Sequence, residues 1–344
     1  WHTSCAKMTI AQARALSVWH CPKCLGRQSA TLQSPSDTSE APACGIAAGL
    51  AKLRSHTKVT SRIPKAARPM IADALSSLIN EALQSPTSSS SWWKFLSFAF
   101  AALRTPSSPS NGEKRLTLAS HLKRQVTELS FVPPPLPSAT EQRSEPDPHK
   151  ASPESLARRI QAKCADGDIR AGLRLLTSSD TLAEPSAAVI TTLRQKHPPA
   201  PADQSLPPPP APTDPPALTV TEEEVLGAIL TMPRGSSAGL DGIRPLHLRE
   251  LLSREAAESG RRLLTSLTAL VNLVLGGLVP ECGRDALYGA SLCALRKKDG
   301  GLRPIAVGSV YRRLAGRIGA KHIAAIIGPE LRPIQLGVGT PLGC

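Results

Sequence analysis

Gly289-Ala290-Ser291-Leu292-Cys293-Ala294-Leu295-Arg296-Lys297-Lys298-Asp299-Gly300-Gly301-Leu302-Arg303-Pro304-Ile305-Ala306-Val307-Gly308 is the stretch that decides the fold class of the sequence. Two runs of strand-forming residues, Ser291 to Leu295 and Leu302 to Val307, flank Lys298-Asp299-Gly300-Gly301. Asp-Gly tolerates the positive backbone angles of a tight reversal, so the pattern predicts a β-hairpin. Helical patterns surround it. Thr221 with Glu224 reads as a capping box opening a helix through Leu230, with Pro233 just past its end. Leu263, Leu267, Leu270, Val271 and Val274 recur at helical spacing and stop at Gly276-Gly277. Ser309 caps a further helix carrying Leu314, Ile318, Ile323 and Ile327, expected to end at Gly328-Pro329. The order helix, helix, hairpin, helix makes 221–344 an α+β unit.

Working outward, 198–220 is a linker, since Pro198 to Pro216 holds ten prolines and reads as an extended polyproline-type tether. Region 154–197 is helical, with two short helices broken at Asp166-Gly167, where Asp166 and Asp168 suit turn and N-cap roles better than a metal site. Residues 132–153 are linker. Region 61–131 is helical: Ile71, Leu75, Leu78, Ile79 and Leu83 form one amphipathic helix stopped by Ser85-Pro86. A second helix from Ser91 to Leu103 gathers Trp92, Trp93, Phe95, Phe98 and Phe100, five of the ten aromatic residues of the chain. Residues 27–60 lack sustained periodicity and read as a Ser/Thr/Ala-rich linker. With 33 prolines among 344 residues, long disordered Pro/Ser-rich linkers are expected between the folded parts.

The formal charge of +14 favours a polyanionic partner, nucleic acid above all. Nine basic residues against two acidic ones between Arg296 and Arg332 supply half of that excess. A tight turn would set Lys297 and Lys298 beside Arg303 as a cationic fork suited to a triphosphate or a nucleic-acid backbone. The same cations would also suit a Lys-rich edge that discourages strand aggregation. No apolar run reaches the roughly 18 residues of a membrane span, so no membrane partner is expected. The eight cysteines form no compact disulfide framework, which points to a reducing, intracellular compartment.

At the N-terminus, 1–26, His2 and Cys5 precede Cys21-Pro22-Lys23-Cys24, with Trp19 two places before that pair. Imidazole and thiolate donors two residues apart can hold one zinc ion. The pattern resembles the second half of a PHD-type zinc finger. That resemblance implies cross-braced zinc sites, His2 and Cys5 serving one ion and Cys21 and Cys24 the other, each completed by a cysteine pair preceding Trp1. One improvised site from all four residues is the alternative.

Ala238-Gly239-Leu240-Asp241-Gly242-Ile243, the hairpin stretch, Tyr311-Arg312-Arg313-Leu314 and Gln335-Leu336-Gly337-Val338-Gly339 stand in the order seen in reverse transcriptase domains of non-LTR retrotransposons, which 221–344 resembles. A less distinctive similarity to the region upstream of such domains reaches back through Ile63-Pro64-Lys65-Ala66-Ala67-Arg68 and the Trp92-Trp93 helix. The resemblance implies an N-terminal, fingers part of the polymerase domain. Lys297 or Lys298 and Arg303 would then meet nucleotide phosphates, and Arg312 and Arg313 the template backbone or solvent. Asp241 and Gly242 look like turn formers at the domain's entrance. The family's magnesium-holding palm aspartates would lie beyond Cys344, since no aspartate follows Asp299. The expectation is thus a fragment of an RNA-directed DNA polymerase polyprotein, catalytically silent alone and nuclear, that binds RNA template or DNA. The alternative is a non-enzymatic nuclear zinc-binding protein whose PHD-type finger meets chromatin or other proteins.

Overall fold

The computed structural model describes residues 45–106, 116–129, 153–165, 167–177, 181–197, 218–297, 299–335 and 337. The chain divides into two units, Trp1–Thr38 and Ser39–Cys344, and all described residues belong to the second. Its elements in chain order are α1 (Ile46–His56), a 3-10 turn (Lys65–Ala67), α2 (Arg68–Gln84), α3 (Ser89–Ala102), α4 (Leu118–Thr127), α5 (Pro153–Ala165), α6 (Ile169–Thr177), β1 (Thr181–Leu182) and α7 (Ala187–Lys196). There follow α8 (Glu222–Thr231), α9 (Pro245–Leu251), a 3-10 turn (Arg254–Ala256), α10 (Ala257–Leu275), α11 (Glu281–Tyr288), β2 (Ala290–Arg296), β3 (Leu302–Gly308) and α12 (Val310–Leu331). The α+β class holds, with many helices around one small antiparallel sheet.

The core is shared between segments far apart in sequence. Ile71, Leu75, Ile79 and Ala82 of α2 pack with Leu263, Leu267, Leu270 and Val271 of α10, all buried. A hydroxyl pair, Ser76 with Ser266 at 2.8 Å, sits inside that contact with both polar groups satisfied. At its edge Asp73 accepts from Ser259 and from Arg262, each at 2.7 Å. Helix α3 is buried on all sides by Trp92, Trp93, Phe95, Leu96, Phe98 and Phe100, as a helix apolar around its whole circumference must be. It reaches the downstream part through Phe95, whose ring lies 5.0 Å from that of Tyr311 in α12. Gly283 of α11 fits against Trp92 so closely that a Cβ there would stand 2.8 Å from the indole.

Two buried polar contacts tie the Ile63 to Arg68 segment to α9. The Ile63 N–H donates to Glu250 at 2.7 Å, and Arg68 pairs with Glu250 at 3.4 Å and with Glu255 at 3.1 Å. His247, also of α9, donates from Nε2 to the Thr60 carbonyl at 2.9 Å while Nδ1 accepts the Arg244 N–H at 3.3 Å. A carbonyl can only accept, which fixes the ring tautomer.

Local signals hold where the chain's own chemistry sets them. The Thr221 and Glu224 capping box is present. Helix α10 ends in a Schellman motif: Gly277 takes φ 69, and the N–H groups of Gly277 and Leu278 donate to Val274 and Leu273. The Asp168 carboxylate accepts from the Ala171 N–H at 3.1 Å and so caps α6. Three local expectations need correcting. Within 27–60, read as linker, Ile46, Leu50 and Leu53 stand at helical spacing and bury one face of α1 against the core. Region 154–197, read as helical, also contains β1, paired through Thr181↔Arg296 and Leu182↔Leu295. Helix α12 runs past Gly328-Pro329 to Leu331, because a proline near a helix end removes only one backbone bond.

The sheet has the order β1-β2-β3, with β2 central. The register of the hairpin pairs Ala290↔Gly308 at its base and Arg296↔Leu302 near its tip. The Ala294 carbonyl accepts from Ala183 beyond β1 at 2.8 Å, so the main-chain groups of Ala294 point away from β3. Its partner Pro304 therefore sits in a pair that exchanges no hydrogen bonds, and the proline ring nitrogen faces the outer edge of the sheet.

Candidate nucleic-acid interface

The hairpin reverses through a turn in which the Gly300 N–H donates to the Lys297 carbonyl at 3.1 Å and the Lys297 N–H donates to the Gly301 carbonyl at 2.8 Å. Gly300 takes φ 78, the left-handed geometry a glycine accepts without strain, and Asp299 accepts from the Gly301 N–H at 2.9 Å. Side chains alternate across a strand and directly paired residues share a face. Leu295↔Arg303 therefore puts Arg303 on the face of Ser291, Cys293, Leu295 and Lys297, while Arg296 stands on the opposite face. Arg296, Lys297 and Arg303 are exposed, and no ion pair or hydrogen bond occupies their charged ends among the described residues. Lys298 lies outside the described residues, as do His2, Cys5, Cys21 and Cys24.

The cations at the hairpin's base are engaged differently. Arg312 donates to the Tyr288 carbonyl at 2.5 Å and Arg313 to the Ser237 carbonyl at 2.8 Å. From α1, Arg54 uses one guanidinium nitrogen for two bonds, to the Gly239 carbonyl at 3.1 Å and to Ser291 Oγ at 3.0 Å. These arginines hold main-chain carbonyls around the junction of β3 with α12.

Asp241 lies beneath that junction, 2% exposed, with its carboxylate accepting from the Ile243 N–H at 2.8 Å in the tight turn that Gly242 completes at φ 74. Burial pushes its carboxyl above the usual range, against the pull of the Ser309 hydroxyl, the Ile243 N–H and the charges of Arg313 and Arg54. Burial, reinforced by the negative charge of Asp241, holds the Tyr311 phenol well above its ordinary value. The Arg313 guanidinium is lowered by burial and by Arg312, with Asp241 opposing both. Gly239 presses on the junction: a Cβ there would stand 2.6 Å from the Ser309 nitrogen and 2.7 Å from the Gly308 carbonyl.

No three His, Cys, Asp or Glu side chains meet in a way that could hold a metal ion among the described residues. Asp241, the buried carboxylate nearest the hairpin base, is flanked by two guanidiniums, an environment that opposes a divalent cation rather than inviting one. Among the described residues, Asp241 and its neighbours thus do not fit a magnesium site. No described helix is long and apolar enough to cross a membrane.

Sequence reading places Lys297 and Arg303 together but overlooks Arg54, Ser309 and Tyr311. Arg54 sits 185 residues from its acceptor Gly239, and no local pattern carries such a pairing. Ser309 shows only its capping signal, and Tyr311 only its place in Tyr311-Arg312-Arg313-Leu314.

No protein-family model matches the chain, and no solved structure matches it. Among curated proteins it is 31% identical over 131 residues to the retrotransposable element SLACS 132 kDa protein of Trypanosoma brucei gambiense. The match covers 36% of this chain and 10% of that protein, so the chain spans a small part of its relative's length. Over that stretch the chain is similar to a retrotransposon-encoded protein.

Proposed function

We propose that this chain is part of a non-LTR retrotransposon polyprotein and contributes the fingers of its reverse transcriptase, a surface that binds nucleic-acid or nucleotide phosphates. The observation that carries the reading is the exposed pair Lys297 and Arg303 on one face of a hairpin whose base is held by hydrogen bonds. Two cations on one face of a ribbon tip can meet phosphate oxygens together, with the backbone already ordered and only the two side chains left to order. Similarity to a retrotransposable-element protein supports the same reading. A nuclear location and zinc held by His2, Cys5, Cys21 and Cys24 belong to this proposal as well. The chemistry of synthesis is assigned to no residue here.

The test is binding of a single-stranded RNA by the full chain, followed by fluorescence anisotropy over a salt series. Lys297→Ala with Arg303→Ala should weaken binding and flatten the dependence of log K on log salt by about 1.4, at about 0.7 per neutralised phosphate. The exposed pair Arg170→Ala with Arg174→Ala, distant in sequence on α6, should leave the slope unchanged. Equal affinity and equal slope for the hairpin variant and the unmodified chain would refute the proposal.

A further inference from the structure

We propose that Arg54 is a positioning residue for the cationic hairpin: helix α1, outside the polymerase-like segment, fixes the ribbon's base. The inference deepens the fingers reading and rests on it. A short antiparallel ribbon is marginal alone and swings about its base unless something holds it. At the base, Gly308-Ser309 forms the junction where β3 turns into α12. The loop carrying Gly239 lies against that junction at a distance no side chain could share. A single Arg54 nitrogen then joins this loop to the ribbon, donating to the Gly239 carbonyl on one side and to Ser291 Oγ on the other. Ser291 pairs with Val307, the residue just before that junction, so both strands are held by one contact.

The charges around this point agree with the geometry. Asp241, two residues beyond Gly239, is buried near enough to Arg54 and Arg313 for both guanidiniums to favour its charged form, against the larger opposing effect of burial. Arg54 spends its guanidinium on protein acceptors, whereas Lys297 and Arg303 at the tip do not among the described residues. Arg54 acts on a bound phosphate chain through the ribbon's orientation and makes no contact of its own.

The experiment uses the full chain with Arg54→Ala, Ser291→Ala and the double variant. Hydrogen exchange is followed across the peptides covering 290–308, and affinity for a single-stranded RNA is measured over a salt series. Arg54→Ala should speed exchange in the hairpin, and should weaken RNA binding about fivefold with an unchanged salt slope. Ser291→Ala should act in the same direction but less, and the double variant should be no worse than Arg54→Ala, because one bond is being removed twice. A slope flattened by about 0.7 in Arg54→Ala would make Arg54 a direct phosphate contact and overturn the proposal. Unaltered hairpin exchange would overturn it too. The exchange measurement needs no RNA, so it reads the Arg54 clamp independently of whether Lys297 and Arg303 bind phosphate.

Discussion

Lowering the pH from 7 to 5 should destabilise the fold, chiefly through His247. It is fully buried, with both ring nitrogens committed to main-chain partners, and burial depresses its value from 6.5 to about 4 against the opposing pull of the Thr60 carbonyl. Between those values the unfolded chain binds a proton that the folded chain refuses, so stability is present above about pH 6.5 and is lost on acidification. Each tenfold in proton affinity is worth about 1.4 kcal/mol, so the loss reaches about 2 kcal/mol at pH 5 and about 3 kcal/mol once the pH falls below 4. The assay is urea unfolding followed by tryptophan fluorescence, which reports on the buried Trp92 and Trp93. His247→Gln keeps a donor for the Thr60 carbonyl but cannot titrate. That variant starts less stable, yet its stability should change between pH 7 and pH 5 by about 2 kcal/mol less than that of the unmodified chain. Equal acid sensitivity in the two proteins would refute the reasoning, whatever their absolute stabilities.

Gly239→Ala should destabilise the chain by about 1–3 kcal/mol in the same unfolding assay, because the added Cβ meets backbone rather than a flexible side chain. A fragment from Thr221 to Cys344 should show no cooperative thermal transition by circular dichroism. It would expose the α10 face that α2 covers and the Tyr311 ring that Phe95 covers.

Much of the fold is readable where a short stretch determines its own geometry. The Thr221 box, the Gly276-Gly277 stop and the reversal around Asp299-Gly300 each rest on chemistry confined to a few residues, and each appears where the sequence puts it. Helix α1 escapes because Ile46, Leu50 and Leu53 are three apolar residues in a linker-like composition, and their burial depends on a core assembled from distant parts. Strand β1 escapes for a similar reason, since two residues have no periodicity and exist as a strand only beside β2. In the candidate interface, the shared face of Lys297 and Arg303 follows from alternation once the turn is fixed. Asp241 reads correctly as a turn former, but its burial and its two guanidinium neighbours come from α1 and α12 closing over it.

The outward-facing ring of Pro304 bears on how molecules meet one another. Strand β1 covers β2 only beside Leu295 and Arg296, and on the other side of the sheet the proline withholds a donor that an incoming strand from a neighbouring molecule would require. A strand added there from another copy would therefore find one rung of its ladder missing at Pro304.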